Sequence, residues 1–460
     1  MNLTTRAEAV RALCAHYMPE LARIEDFESF ESLVASDGKS LLAVMVAACL
    51  AEFDGSLRES VPRSWSAHHR AKRKLATLVG PVEFERTVFV DEFGRRRALL
   101  DELLSIPPRS RLSPGAFLWL VRRAAEESYR KTAAAFLEET GGRVSHVGVM
   151  GCVRRAAELL RHREPPASGR ISQQTLFLEV DGLWVHLQSR EHRKHALPRF
   201  LYEQARRAAS FELKLAALYA GKTAVAPGRY ERDGLRLTCA DLPPKGFWDE
   251  AWAMLSAEYD PADVETLWVG ADGGKWCGPG RIAELVPESC LVRGSLDPFH
   301  VMQKICRAFP EGPRREWAAG LARRGRALQL ARMCDRVLPK VKDAKRRDRL
   351  RDLRKYMLNN AGSVVFPKLT MGTMEGTNAH VGADRMKGRG MSWSRKGAEA
   401  MCLVRCALAE GRPLVAPKFP AFFTKKEAKA ADEFLAKMPS SVPETCGRAG
   451  CRRTRRRPGR

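Results

Sequence analysis

Apolar and polar positions divide the chain into a helical start, a part rich in alternating patterns and a second helical stretch. Up to about Glu59, apolar residues recur at helical spacing in "AEAVRALCAHYMPELARI" and "KSLLAVMVAACLAEF", which predicts helices. In "VEFERTVFVDEFGRRRALL", apolar residues alternate from Val82 to Val90 and a turn follows at Phe93–Arg95. This pattern predicts a small β-hairpin or three-stranded unit.

Residues 113–162 predict helices, two of them joined by a glycine turn. One helix is expected from about Tyr129 to Glu139, followed by a break at Gly141-Gly142 and a second helix with Ser145 as its N-cap. A helix, a short turn and a second helix are typical of helix-turn-helix DNA-binding proteins, although any antiparallel helix pair gives a similar string. A basic flank favours the DNA-binding interpretation; it consists of Arg154, Arg155, Arg161 and Arg163.

The middle of the chain predicts a mixed α/β fold. Paired prolines in "REPPASGR" indicate a linker, after which strands come first and then alternate with helices. The strand candidates are "TLFLEVDGLWVHLQ", "ASFELKLAALYAGKT", "GLRLTCA", "TLWVGADGG" and "CLVRGSLD", with a helix over "GFWDEAWAMLSAEY". Three strands in sequence, followed by strands separated by helices, predict layers of helices on a mixed sheet. From about Gln303 to Asn360 the chain becomes helical and rich in arginine.

Charge indicates the class of partner. The 460 residues include 79 Lys and Arg against 54 Asp and Glu, a formal charge of +25. This excess favours nucleic acid as the partner, with an anionic membrane surface as the second possibility. A general arginine bias of the genome, without functional meaning, is the third explanation. Between Lys340 and Lys355 there are nine basic and three acidic residues, so this helix either tracks phosphates or is a solvated face. Its candidate DNA contacts are Lys345, Arg346 and Arg347.

Membrane and secretory signals are weak. The longest apolar run, Leu41 to Ala51, has 11 residues, below the ~18 needed to span a bilayer, and Met1 leads into a polar start. The 12 cysteines contain no Cys-x-x-Cys pair, which favours reduced thiols in the core over a zinc site. We therefore expect a cytoplasmic protein that does not bind membranes, with a disordered basic tail over Arg448–Arg460.

Two acids lie unusually close together in a strand that is expected to be buried. In "LEVDGLWVHLQ", Glu179 and Asp181 are two residues apart, so both side chains point to the same face of the strand. A turn at Asp181-Gly182 is the alternative, but strand character resumes at once from Leu183. Buried carboxylates need a partner, and a divalent metal ion would keep both ionised.

Two further acids have positions that suit a shared site. Asp272 ends "TLWVGADGG", and Glu375 falls in the first turn of a helix that begins after Thr373, where the helix dipole favours a carboxylate. Asn378 lies on the same face of that helix. Magnesium takes hard oxygen ligands and leaves room for water and substrate phosphate. Two ions at one site can activate a hydroxyl and stabilise the leaving oxygen of a phosphodiester.

Four blocks of sequence resemble a known family. "EVDGLWVHLQ", "WVGADGGKW", "DPFH" and "GTMEGTNAHVGADRMKGRGMSWSRKGAEAM" are similar to the ISLre-type bacterial insertion-sequence transposases, a DDE group with a ribonuclease H-like core that is related to mutator-like transposases. The similarity covers nearly all the chain. It implies a metal-binding triad of Asp181, Asp272 and Glu375, with two Mg²⁺ or Mn²⁺ ions, and no small-molecule cofactor. The gaps of 91 and 103 residues imply a helical insertion before the last acid.

The resemblance also suggests a division of the chain. We expect a helical region with a β-hairpin at 1–112, a helix-turn-helix domain at 113–165, and a ribonuclease H-like core at 171–302 and 363–412. The core is interrupted by a helical insertion at 303–362, and a basic region follows at 413–460. Relatives carry a Cys-x-x-His motif where this chain has Asp297-Pro298-Phe299-His300, so Asp297 and His300 are expected beside the metal or the substrate.

Other residues receive supporting roles. Glu179 is expected as a weak metal ligand or as support for a ligand. Three basic residues that follow Glu375 are expected to hold DNA phosphates; they are Arg385, Lys387 and Arg389. For Trp393 we expect a place in the core rather than stacking on a base.

The function implied is magnesium-dependent DNA transposition. The enzyme would bind terminal inverted repeats, hydrolyse DNA to free a 3′-OH, and use that hydroxyl to attack target DNA, working as a homodimer or larger assembly on double-stranded DNA. Two alternatives remain open: a non-catalytic or domesticated helix-turn-helix regulator, and a ribonuclease H-like nuclease or resolvase.

Overall fold

The computed structural model describes residues 11–12, 14–19, 21, 23–162, 166, 168–188, 210–227, 229–363, 371–388 and 391–418. The predictions for Arg163, for Arg389, for the basic tail at Arg448–Arg460 and for half of the linker at 163–170 lie outside these residues. Within them the protein is a mixed α/β structure, as predicted, with a mixed β-sheet covered by helices.

A long helix and a three-stranded antiparallel sheet form the amino-terminal part. The elements are α1 (Phe27–Ser60), β1 (Ser66–Thr77), β2 (Gly80–Val90), β3 (Arg96–Arg97) and α2 (Leu99–Leu103). Strands β2 and β3 pair across the predicted turn at Phe93–Arg95, and β1 makes the sheet three-stranded, in the order β1-β2-β3. Strand β1 itself was not predicted, because its first five side chains are all exposed and the strand therefore lacks apolar alternation.

Among the described residues, helix α1 is long and apolar enough to cross a membrane, judged by length and composition alone. Its best window has a mean hydropathy of 1.7, although the longest uninterrupted apolar run within it has 11 residues. One face of α1 packs on β2, and buried Asp54 accepts hydrogen bonds from the Thr87 amide and hydroxyl at 2.9 and 2.7 Å. Within the described residues, 6% of the apolar window is buried.

The amino-terminal unit contains a buried ionic cluster whose loss should unfold it. Asp101, 1% exposed, accepts hydrogen bonds from Arg73 and, at 2.6 Å, from Arg86. Asp101→Ala is expected to cost about 3–5 kcal/mol of unfolding free energy, because two guanidinium groups lose their buried counter-charge. Urea denaturation measures this cost. The exposed pair Lys74–Glu83 is the control, and its removal should change stability by less than about 1 kcal/mol.

Three helices follow, and the predicted helix pair is among them. They are α3 (Pro114–Glu126), α4 (Tyr129–Thr140) and α5 (His146–Arg161). The break is confirmed: Gly141 ends α4 in the left-handed conformation at φ 68°. The predicted N-cap is confirmed too, since the Ser145 hydroxyl accepts the Gly148 amide at 3.1 Å. The pair is not a separate unit, because its apolar face shares one core with the central sheet.

The central sheet has five strands in the order β10-β9-β4-β5-β8. These strands are β4 (Thr175–His186), β5 (Ser210–Tyr219), β8 (Arg236–Ala240), β9 (Thr266–Ala271) and β10 (Leu291–Leu296). Strands β4, β9 and β10 are parallel to one another, whereas β5 runs antiparallel to both β4 and β8. A hairpin of β6 (Gly221–Ala226) and β7 (Arg229–Asp233) extends from the sheet.

Each face of the sheet has its own core. Leu176, Leu178 and Val180 pack with α6 (Pro244–Glu258) and α7 (Gly280–Ala283). The alternate residues Leu183 and Val185 face α3, α5 and the last helix, α14 (Arg395–Ala409). By the two-residue period of a strand, Glu179 and Asp181 lie on this second face.

Between β10 and the last part of the core, four helices form an insertion with a core of its own. They are α8 (Pro298–Ala308), α9 (Pro313–Arg323), α10 (Ala327–Val337) and α11 (Ala344–Asn359). The insertion begins at Pro298, five residues earlier than expected. Single 3₁₀ turns cover Pro261–Asp263, Leu338–Lys340 and Ala361–Ser363.

The segment after the insertion is helical in three steps. These are α12 (Met374–Thr377), a π-helical stretch (Asn378–Ala383) and α13 (Asp384–Met386). A π-helical stretch is rare and occurs mostly at functional sites. Here it packs against β4: a Cβ added at Gly382 would lie 2.2 Å from the Leu183 Cδ2 atom.

Candidate active site

Asp272 and Asp297 directly follow the carboxyl ends of β9 and β10 at one edge of the sheet, and Asp181, in the middle of the parallel strand β4, lies level with them. Glu179 on β4 pairs with Gly270 on β9. Two residues further along each strand, Asp181 is therefore level with Asp272, which directly follows the last residue of β9. In the same way, β10 ends opposite β9, and Asp297 comes directly after it. Ligands of open α/β sheets bind outside the carboxyl ends of the strands, so this edge is the candidate active site.

Asp181 lies in a partly buried position among other acids. Burial raises its pKa to about 6; the Gly182 amide, which donates to Oδ1 at 2.7 Å, opposes this rise. The negative charges of Asp272 and Glu375 raise the pKa further, and His300 lowers it. The residues predicted from the resemblance are thus close enough to affect one another, although 91 and 103 residues separate them along the chain.

Asn378 is an additional member of the site. Its Nδ2 group donates to Asp181 Oδ2, while its own Oδ1 is buried without a hydrogen-bond partner among the described residues. A buried oxygen without a donor is free to accept from a ligand or a bound water. The sequence offered one signal for this residue, its position three residues after Glu375 on the same helical face.

A tight turn holds Asp272. The Gly274 amide and the Cys277 thiol donate to its Oδ1 at 2.8 and 3.0 Å. The Tyr356 hydroxyl, on α11 of the insertion, donates to the Asp272 carbonyl at 2.9 Å. The insertion is therefore attached to the site through the backbone of one of its acids.

Gly273 should be essential for this turn. Its φ is +80°, and an added Cβ would lie 2.7 Å from Tyr356 Cε2. Gly273→Ala is expected to cost about 1–3 kcal/mol of unfolding free energy, because it adds backbone strain and a clash. Urea denaturation measures the cost. Gly278→Ala in the same loop meets nothing within 4 Å and should change little; equal effects of the two variants would contradict this explanation.

Glu375 lies in the first turn of α12, as predicted, and its side chain is exposed. The helix packs beside β4, so the carboxylate lies on the same side of the sheet as Asp181. The boundary at Thr373 is confirmed, but the Thr373 side chain makes no capping bond to α12. It donates instead to Glu179 Oε1 at 2.5 Å.

Glu179 is not placed as a metal ligand. Its side chain is 2% exposed, and both carboxylate oxygens already accept hydrogen bonds, from Tyr219, Gly372 and Thr373. The expectation that Glu179 is a weak metal ligand is therefore corrected. Of its two predicted roles, the support of a neighbouring segment of the chain remains. Its distant partners could not be found from spacing along the chain.

Asp297 and His300 form a pair at the start of α8. Asp297, 7% exposed, caps the helix by accepting the Phe299 amide at 2.8 Å. His300 Nδ1 lies 3.3 Å from Asp297 Oδ2, and this hydrogen bond raises the pKa of the imidazole, with a further contribution from the charges of Asp181 and Asp272. The pair therefore lies within electrostatic reach of the acids.

The donor set fits a divalent cation. Among the described residues, no Lys or Arg forms an ion pair with Asp181, Asp272 or Glu375. Three neighbouring carboxylates without a basic partner offer hard oxygen ligands of the kind that Mg²⁺ and Mn²⁺ prefer. Within the same described part of the chain, they do not form a group whose ligand atoms all lie within 4.8 Å of one another. They are therefore spaced more widely than the ligands of one ion.

Three cysteines do form such a close group. The sulfur atoms of Cys239, Cys402 and Cys406 lie within 4.8 Å of one another in the core between β8 and α14. A structural zinc site has four ligands, and the described residues supply no fourth His, Cys, Asp or Glu here. Of the ten cysteines that the structure describes, seven are buried, which agrees with the expectation that most of them lie in the core.

The predicted DNA-contacting residues fall into two groups. Those with exposed side chains are Arg155, Lys345, Arg347 and Lys387; Arg154 and Arg346 are partly buried. Arg155 forms an ion pair with Glu158 at 2.9 Å, and Arg154 is within 3.4 Å of the Ser394 hydroxyl. Arg155, Lys345 and Arg347 lie on exposed helix faces, whereas Lys387 lies in the turn after α13 and Arg346 donates to the Ala308 carbonyl at 3.4 Å.

Arg385 is corrected from a phosphate contact to a core residue. It is 4% exposed, donates to the Ala124 carbonyl at 3.0 Å and stacks on the Trp393 ring at 5.0 Å. A buried guanidinium engaged in this way is not available to a DNA phosphate. Trp393, 6% exposed, is a core residue as expected.

Comparison with known proteins identifies relatives along most of the chain. Residues 23–419 match UPF0236, which is described as an uncharacterised protein family. A UPF0236 protein of Caldanaerobacter subterraneus subsp. tengcongensis is 24% identical over 387 residues, covering 80% of this chain and 75% of the relative. Another, from Streptococcus gallolyticus, is 23% identical over 406 residues, covering 85% of this chain and 86% of its own length. The chain therefore belongs to the UPF0236 family.

Proposed function

We propose that this protein is a DDE transposase of the ISLre type, which cleaves and joins DNA with two Mg²⁺ or Mn²⁺ ions. The observation that carries the proposal is the grouping of Asp181, Asp272 and Glu375. They come from three separate segments, influence one another electrostatically, and have no basic partner among the described residues. Neighbouring carboxylates without a basic partner repel one another, and a bound cation would supply the missing counter-charge.

The strand arrangement supports the proposed ribonuclease H-like core. Along the chain, β5 is antiparallel to β4 and to β8, whereas β9 and β10 run parallel to β4. Helices cover both faces. Such a mixed sheet is compatible with the core that the resemblance implies, and Asp181 lies on its central strand, β4.

The names of the relatives support a mobile genetic element. One Caldanaerobacter relative carries eleven locus names from one genome, and another carries four. One protein encoded at many loci is expected of an insertion sequence that copies or moves itself. A regulator or a housekeeping nuclease is normally encoded once. We extend this property to the present chain as part of the proposal.

Each acid has a role in the proposed chemistry. Asp181, between the other two, would contribute to both ion sites, with Asp272 completing one and Glu375 the other. Bound ions would activate the attacking water or 3′-hydroxyl and stabilise the leaving oxygen. Asn378 keeps the Asp181 carboxylate oriented through its Nδ2 donor. His300, hydrogen-bonded to Asp297, would lie near a phosphate bound at the acids.

The partner would be double-stranded DNA, as terminal inverted repeats and as target. The formal charge of +25 favours a polyanion, and Lys387 lies on the segment that carries Glu375. The pair α4 and α5 would recognise the repeats with the exposed residues of α5, among them Arg155. Because two transposon ends must be joined, we expect a homodimer or larger assembly, acting in the cytoplasm.

The decisive experiment is a cleavage and joining assay. Labelled DNA carrying the inverted repeats that flank the gene is incubated with the protein and Mg²⁺ or Mn²⁺. Nicking at the repeat end and joined products in target DNA are expected. Specific binding without cleavage would indicate a regulator instead, and cleavage without joining a nuclease or resolvase. DNA lacking the repeats serves as the control.

A further inference from the structure

Glu179 makes a buried clasp between the central strand and the segment that carries Glu375. Its Oε2 accepts the amides of Gly372 and Thr373 at 2.6 and 3.0 Å. Its Oε1 accepts the hydroxyls of Thr373 and Tyr219 at 2.5 and 2.7 Å. With 2% of its surface exposed, the carboxylate is almost fully used by these donors. We call these four hydrogen-bonded residues the clasp: Glu179, Tyr219, Gly372 and Thr373.

The position of the clasp relates it to the candidate active site. Glu179 lies two residues before Asp181 on the same face of β4, and Thr373 lies two residues before Glu375. One rigid strand therefore holds both an acid and the start of the segment that supplies another acid. The two partners are 194 residues apart in the chain, so nothing local fixes their distance.

The segment needs an external anchor. Helix α12 is the first turn of the helical segment that continues through the π-helical stretch into α13, and this first turn has no side-chain capping bond of its own. Gly372 has φ +99°, a conformation that suits glycine, and its amide points at Glu179. The clasp thus supplies acceptors for amides that α12 leaves unpaired.

Two basic side chains lie close enough to the clasp to interact with Glu179 electrostatically. Glu179 interacts electrostatically with Lys222 and Arg232 on the β6–β7 hairpin; burial lowers the pKa of both, and Glu179 opposes that change. Arg232 also donates to the Thr377 hydroxyl at 2.8 Å, which attaches the hairpin to α12. Glu179 therefore has its counter-charges within the protein and does not need a metal ion.

We propose that Glu179 is a positioning residue, which holds Thr373, and through it Glu375, at the distance from Asp181 that the second metal ion needs. This inference rests on the proposed function, because it assumes that Glu375 binds an ion. It assigns Glu179 a role other than that of a metal ligand. The two roles differ in a measurable way.

The test is a double-mutant cycle in which Mn²⁺ binding is measured by electron paramagnetic resonance. Glu179→Gln is expected to weaken one of two Mn²⁺ sites by about 10–100-fold, the usual effect of losing support for a ligand. Glu375→Gln should weaken the same site. If Glu179 acts through Glu375, adding Glu179→Gln to Glu375→Gln should cause no further loss. Additive losses, or unchanged binding in Glu179→Gln, would overturn the proposal.

Thr373 offers a milder pair of variants in case Glu179→Gln folds poorly. Thr373→Val removes the hydroxyl donor and should weaken the same Mn²⁺ site, whereas Thr373→Ser keeps the donor and should restore binding. Equal binding by the Val and Ser variants would contradict the clasp.

Amide hydrogen exchange of the metal-free protein separates the two levels of the proposal. Glu179→Gln should accelerate exchange at Gly372 and Thr373, because their acceptor is weakened. Faster exchange together with unchanged Mn²⁺ binding would overturn the positioning role while leaving the proposed function intact. A wild-type protein that binds no Mn²⁺ and cleaves no repeat DNA would overturn both.

Discussion

Replacing Asp181 with Asn is expected to abolish metal-dependent strand cleavage while DNA binding remains measurable. Asn keeps the size of the side chain and an oxygen that accepts the Asn378 bond, but it loses the charge that would serve both ions. The loss of several kcal/mol of transition-state stabilisation corresponds to a decrease of roughly 10³-fold or more in cleavage rate. Binding should persist, because the basic residues that attract DNA are unchanged.

The same variant should stabilise the metal-free protein. The pKa of Asp181 is raised from 3.8 to about 6, so the folded state favours its protonated form. This contribution is fully present below about pH 4 and is lost as pH rises through about 6. Above pH 6 the charged carboxylate opposes folding, and Asp181→Asn is expected to gain up to about 3 kcal/mol there. Urea denaturation at pH 4 and pH 7.5 measures the difference.

A matched control is available on the neighbouring segment. Asp384 has a mostly exposed side chain and lies on α13. Asp384→Asn makes the same change of charge and should alter neither cleavage nor the pH dependence of stability beyond small amounts. Normal cleavage by Asp181→Asn would refute the assignment of the triad. Destabilisation at pH 7.5 would refute the electrostatic explanation of the raised pKa.

Gly382→Ala is the second substitution with a large expected effect. An added Cβ would lie 2.2 Å from Leu183 Cδ2, so the π-helical stretch and β4 must move apart. Overpacking of this kind costs about 1–3 kcal/mol. Because this stretch follows directly on the turn that carries Glu375, we expect cleavage to decrease more than the loss of stability alone would explain.

The control and the rescue both lie within the same contact region. Gly376→Ala, on the same helical segment, meets nothing within 4 Å and should be neutral or slightly stabilising. Leu183→Ala alone removes a buried side chain and should cost about 2–5 kcal/mol. Combined with Gly382→Ala, it should cost less than the sum, because the clash disappears. Strict additivity would show that the two residues do not press on each other.

Local signals in the sequence were sufficient for many elements. Ser145 and Gly141 have the side chain and the backbone freedom that an N-cap and a helix end require, and the structure has both. The strand that carries Asp181 was predictable from its apolar residues. Strand β1 was not, because a strand with one largely exposed, basic face has no apolar alternation.

The main limit of prediction from the sequence was that it did not identify the partners of charged residues. Arg385 and Lys387 lie two residues apart in a basic stretch, and composition suggests the same role for both. The structure buries Arg385 against Ala124 and Trp393 and leaves Lys387 exposed. Likewise, Glu179 and Asp181 are equivalent by spacing, yet Glu179 is taken up by donors from residues 372–373 and Asp181 faces other acids.

The sequence by itself determined the alternating strands, the helix boundaries, the positive charge and the list of candidate acids, because these depend on side-chain type and on short-range spacing. Only the tertiary structure decided which acids meet, which one is engaged by backbone amides, and which arginine is buried. Those outcomes depend on contacts between segments 91 to 261 residues apart, such as the pairing of Glu179 with Gly270, its bond to Thr373 and the bond of Arg385 to Ala124. Strand register and helix packing create these contacts, and neither is encoded in any one stretch of the chain.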